Sequence, residues 1–304
     1  MAANKKQLLH PLLRGVLICF FIAIFHLSAS AQSGDSVVST VNKKRFRTLV
    51  IGSGVGYTAT MIGLNELWYK DSDRQSFRFF NDNAEWKQVD KIGHFFSGFY
   101  FSYGASSALR WCGMTPRKSD LAGAVTGFLV MVPIEIFDGY SDAYGASTGD
   151  LIANAAGPAF FLAQQSFWKE IRIHPKFSFQ STDYAAQRPE VLGDNWLSEI
   201  FKDYNGQTYW LSVDVDKFMK FPRWLNVAVG YGAEGMLYAR DRQNAEIGLR
   251  SYRQYYLALD IDLTAVKTRS KALKTLIFLA NMIRLPAPGL EFSSRGVRFQ
   301  ALQF

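Results

Sequence analysis

The chain is poor in cysteine and histidine, and these shortages remove several kinds of chemistry at once. Of 304 residues, two are Cys and four are His. Beyond residue 31 only Cys112, His94 and His174 remain. One cysteine makes no internal disulfide. A zinc site built from several His or Cys ligands is also excluded, so any metal would rest mainly on carboxylates. No nucleophile elbow, P-loop or metalloprotease motif is present. There is no nucleic-acid recognition motif and no dense basic stripe with interleaved aromatics. The formal charge is +8, which points to anionic lipid rather than nucleic acid as a basic-patch partner.

What is present begins with a secretory signal pattern over residues 1–31. Lys5, Lys6 and Arg14 precede an apolar run at 15–27, and Ala29-Ser30-Ala31 offers a small-residue cleavage site. An uncleaved anchor is the alternative, but the run is shorter than a span of about 20 residues. Cleavage would remove those three cations and no acid, leaving a charge of +5. Cys19 is a poor lipidation site, because bulky Ile18 precedes it. Residues 32–47 read as a flexible, Ser-containing leader.

Four apolar segments follow, at about 48–68, 91–111, 121–137 and 151–168, each near the length of a membrane span. Gly, Ala, Ser and Tyr dilute all four, so a soluble four-helix bundle is the alternative. Residues 171–195 read as a linker after the His174-Pro175 break. The region 196–304 then alternates, with strands expected at Tyr209–Val215, Leu225–Tyr231, Tyr255–Leu263 and Val297–Phe304. Roughly four to six strands fall short of the ~8 of a membrane barrel. Lys271–Leu285 reads as a basic amphipathic helix. It packs on its own sheet or lies on a membrane, and the first is the expectation.

Three polar strings interrupt the apolar segments: Asp90-Lys91-Ile92-Gly93-His94-Phe95, Glu135-Ile136-Phe137-Asp138-Gly139, and Asp150 through Gly157 with Asn154 inside. Acids in such surroundings are costly unless paired. Short connections make consecutive helices antiparallel. The start of the second segment, the end of the third and the start of the fourth should therefore lie at one end. Asp90/His94 and Asp150/Asn154 are spaced i,i+4, so each pair shares a helix face. Taken singly, Asp90, Asp120 and Asp150 are also well placed as helix N-caps, His94 as a hydrogen-bonded core residue, and Lys91 as a solvated or lipid-facing cation.

Asp90-Lys91-x-x-His94-Phe95, Glu135 and Asp150-Leu151-x-x-Asn154-x-x-Gly157 resemble, over residues 86–165, the VanZ-like membrane proteins and, more closely, the YfiM-like predicted envelope lipoproteins. The resemblance implies a helical membrane core and an envelope location, and it brings no established activity. The VanZ-like pattern has Gln where this chain has Asp138, so a role for that amide does not carry over. The lipobox typical of the YfiM-like proteins is absent.

The expected fold is α+β: a four-helix, membrane-associated, VanZ-like bundle over 48–170, then a small antiparallel β-rich domain. The expected function is binding of an envelope lipid, glycan or protein partner through Lys91, Asp138, Asp150 and Asn154. The alternative is a hydrolase or transferase acting on an envelope lipid or glycan, with His94 as general acid/base and Asp90 or Glu135 orienting it. A third reading is a hard-cation site of Glu135, Asp138 and Asp150. No cofactor is expected. After export the chain should lie at the outer membrane or its periplasmic face, with the inner membrane as the alternative.

Overall fold

A computed structural model describes residues 41–69 and 72–303. The signal pattern at 1–31, the first part of the leader and the terminal Phe304 lie outside the described residues. The chain divides into two compact units. One takes the residues up to 80 together with 97–162, and the other takes 81–96 together with 163 onward.

The first unit is helical. Helix α1 spans Lys43–Trp68, beginning inside the expected leader because Asn42 accepts the backbone N–H of Arg45 and caps it. Helices α2 (Val89–Trp111), α3 (Pro116–Tyr140) and α4 (Thr148–Phe167) follow. The unit boundaries fall within α2 and α4, each an uninterrupted helix.

Small residues set the packing in this unit. A Cβ on Gly127 of α3 would stand 2.1 Å from Ser102 Oγ and 2.8 Å from the Gly98 carbonyl on α2. Two turns back on α3, and one turn on along α2, Asp120 accepts Ser106 Oγ at 2.7 Å and Arg110 at 2.5 Å. Helices α2 and α3 therefore run antiparallel. Gly98 also abuts Asn154 and Pro158 of α4, while Phe99 meets Phe160 and Phe161, so α2 and α4 run parallel.

The expected four-helix transmembrane bundle is not what forms. Among the described residues only α3 is long and apolar enough to cross a membrane. Gly, Ser, Thr and Tyr recur in α1 and α2 and lower their hydrocarbon content. The fold is a helical region followed by an open antiparallel sheet.

That sheet belongs to the second unit. Its strands are β1 (Ile173–Phe179), β2 (Gln207–Val213), β3 (Leu225–Glu234), β4 (Tyr252–Ile261), β5 (Ala287–Ser293) and β6 (Gly296–Gln303), paired in simple sequence order. β1 forms where the linker is expected. Pro175 is tolerated there because β1 is terminal in the sheet. Its outer edge is not bare, since the Phe177 N–H donates to the Met282 carbonyl and the Arg284 N–H to that of Phe177.

The register makes the two faces opposite in character. One row runs Leu211–Val229–Leu257–Leu290–Phe299, and the next Tyr209–Tyr231–Tyr255–Phe292–Val297. On the reverse face Lys176, Trp210, Gly230, Tyr256 and Glu291 align. The apolar face is partly covered where Val89 packs with Tyr209, Tyr231, Ala233 and Met236. The expectation that the amphipathic helix packs on this sheet is not met. In α9 (Lys271–Asn281) the leucines 273, 276 and 279 are exposed and the buried residue is Asn281.

Candidate functional site

Glu135 is the centre of the helical unit's polar locus. Its carboxylate is buried near the end of α3, two residues after Pro133. It accepts the Ser147 backbone N–H at 3.1 Å and the Asn154 side-chain amide at 3.4 Å. Hydrogen bonds to an ionised acceptor are the stronger kind, which is how an acid persists so deep in the fold. Asp150 and Asn154 are buried beside it on α4, and one oxygen each of Glu135 and Asp150 lie within 4.8 Å of one another.

The cap of α4 is not Asp150. Ser147 Oγ accepts the Asp150 N–H at 3.1 Å. The sequence signal for this was Ser-Thr-Gly-Asp, a hydroxyl three residues before an acid. Asp120 is not a cap either, since it ties α3 to α2. Asp90 follows the first residue of α2.

Asp138 faces α1 rather than the Glu135–Asp150 pair. Tyr69 Oη donates to its carboxylate at 2.7 Å. Burial and then Asp138 raise the Tyr69 phenol, and the same two causes push Tyr144 up to about 12. Ser72 Oγ bonds Ser141 Oγ at 2.5 Å and donates to Asp142 at 2.9 Å, tying the segment after α1 to the loop after α3.

The second unit holds the other string. Lys91 is not a solvated or lipid-facing cation: its ammonium lies 2.9 Å from Asp82 and 3.3 Å from Asp90. Asp82, which the sequence reading missed, stands in the Asn81-Asp82-Asn83 stretch before the helix. Its only signal was an acid eight residues ahead of another. Oxygens of Asp82 and Asp90 lie within 4.8 Å. Each carboxylate pair, Glu135–Asp150 and Asp82–Asp90, has the oxygen donors a hard cation takes. Asp138, included in the expected cation set, is engaged by Tyr69.

Burial raises the Asp90 carboxyl above its ordinary range, Lys91 and His94 oppose this, and Asp82 adds to it. Asp90 Oδ1 is buried without a hydrogen-bond partner. An acid raised in the folded state holds its proton more tightly there than in the unfolded chain. Its stabilising contribution is complete below the unfolded value of 3.8 and is lost as pH rises through the raised folded value. Asp90→Asn removes that loss. Thermal midpoints of variant minus wild type should therefore grow between pH 4 and 7, and a difference flat with pH would contradict a buried, raised Asp90.

Comparison with known proteins gives one match. A family model described as a predicted periplasmic lipoprotein (DUF2279) matches residues 78–165, under a third of the chain. No curated protein and no solved structure matches. The matched stretch contains all three polar strings. It is consistent with an envelope protein and singles out neither the YfiM-like nor the VanZ-like group.

Proposed function

We propose that the chain is an envelope-associated binding protein, placed at the outer membrane or its periplasmic face, and that the Glu135 locus receives the polar part of its ligand. The carrying observation is Glu135 itself, 3% exposed and fixed by the Ser147 N–H and the Asn154 amide. A carboxylate accepts and does not donate. The matching ligand chemistry is a hydroxyl or ammonium group, as on a lipid head group or a glycan.

The test uses the full chain with two soluble probes, glycerophosphoethanolamine and a chitin tetrasaccharide. A probe at a hundred times its dissociation constant stabilises by about 2.7 kcal/mol, a shift of roughly 5–10 °C at this size. Wild type should show the shift with one probe, and Glu135→Gln should lose it. No shift in wild type, or equal shifts in both, would overturn the reading.

Without ligand, Glu135→Ala should cost about 1–3 kcal/mol, because Ser147 and Asn154 lose their acceptor. Asp142→Ala, at an exposed residue, loses only the hydrogen bond from Ser72 Oγ and should cost at most about 1 kcal/mol. Equal denaturation midpoints for the two variants would contradict a paired, buried Glu135.

A second reading, a hydrolase or transferase with His94 as general acid/base, draws on the His94 charge that acts on Asp90 one turn away. An acid beside an imidazole orients it and supports its charge. Product formed from either probe by wild type and not by His94→Ala would favour this reading.

A further inference from the structure

The sheet and α9 of the second unit share one inversion, with polar groups inward and apolar groups outward. On β4, Gln254, Tyr256 and Asp260 are buried while Tyr255, Leu257 and Leu259 are exposed. On β5, Glu291 is buried and Phe292 exposed. At the end of the sheet Phe299 is 69% exposed. In α9, Leu276 is 62% exposed, while Asn281 turns inward to receive the Lys176 ammonium at 3.1 Å.

A sheet facing water on one side alternates the other way, with its apolar row inward. Outward apolar residues alternating with inward polar ones are the pattern of a sheet facing lipid. Exposed apolar surface continuous over neighbouring strands marks an interaction face. Its repetition on a helix of the same unit makes a local packing accident a poor explanation.

Charge identifies the occupant. Between Asp262 and Glu291 the sequence has no acid, and Lys267, Arg269, Lys271 and Lys274 are all exposed at the start of α9. Apolar side chains beside such a cationic cluster match hydrocarbon beneath anionic head groups. We infer that the second unit docks on a phospholipid bilayer through α9 and the outward face of β4–β6. This inference does not depend on the binding role proposed for Glu135.

The test is flotation of the full chain with vesicles of phosphatidylethanolamine and phosphatidylglycerol at three to one. Wild type should float with them, less at 0.5 M salt than at 0.1 M. Leu276→Glu combined with Phe299→Glu should reduce flotation at least tenfold while the circular dichroism spectrum is unchanged. If that pair impairs folding, Leu276→Cys carrying an environment-sensitive dye gives an independent reading, and its emission should shift to the blue on vesicle addition. Three outcomes overturn the inference: no flotation of wild type, no emission shift, or a discrete dimer in buffer that the double substitution dissociates, which would assign the face to a second copy of the chain.

Discussion

Lys176→Met will destabilise the second unit by about 3–5 kcal/mol, the usual cost of removing one partner from a buried ion pair. Lys176 and Asp260 are 1% and 0% exposed at the side chain, with nitrogen and oxygen 2.6 Å apart. The ammonium also donates to the Ile261 carbonyl at 2.9 Å and to Asn281. Asp260 receives Ser212 Oγ at 2.6 Å through one oxygen, while its other oxygen has no hydrogen-bond partner. Removing the lysine leaves that buried carboxylate with Ser212 Oγ and the charge of Arg284 but no ion-pair partner in contact. Urea midpoints should show the loss, and Lys176→Met with Asp260→Leu should recover at least half of it. A double variant as unstable as the single one would mean that the lysine matters through packing rather than through charge.

The second large effect is expected at the helix crossing. In Gly127→Val the new Cβ meets Ser102 Oγ at 2.1 Å and two backbone atoms, Gly98 O and Ser102 N, each at 2.8 Å. The hydroxyl can rotate but the backbone atoms cannot, so α2 and α3 must separate. Overpacking of this kind costs about 1–3 kcal/mol, and backbone obstruction puts this case at the upper end. Separation would also pull Asp120 from Ser106 and Arg110. Gly104→Ala is the control: on the same α2 a Cβ there meets nothing within 4 Å. It should stabilise by up to about 1 kcal/mol through helix propensity. Equal melting of the two variants would show that the crossing tolerates a side chain.

Much of the candidate site was legible before folding was considered. Glu135 stands out because a carboxylate inside Val-Met-Val-Pro-Ile must find partners, and it finds Ser147 and Asn154. The i,i+4 spacing of Asp150 and Asn154 placed both on the face of α4 near Glu135. Ser147 as the cap had a local signal in Ser-Thr-Gly-Asp, whereas Asp82 as the partner of Lys91 and Tyr69 as the partner of Asp138 had none. Those two contacts join residues from separate segments, and neither spacing nor composition encodes them. β1 was missed for a related reason: His174-Pro175 is a local break signal, whereas pairing with β2 and cover from Met282 and Arg284 are long-range.

The sequence by itself determined the helical first part, the alternating second part and the three polar strings, because these follow from composition and from local periods of 3.6 and 2. Only the tertiary structure decided which face of each alternating element points inward. Alternation along β4 and the stripe on α9 are the same whichever side is buried. Lys176, Asp260, Asn281 and Ser212 come from four distant stretches, and their mutual hydrogen bonds form only when the elements assemble. Those bonds make polar groups affordable inside the second unit, and they turn Leu257, Phe299 and Leu276 outward.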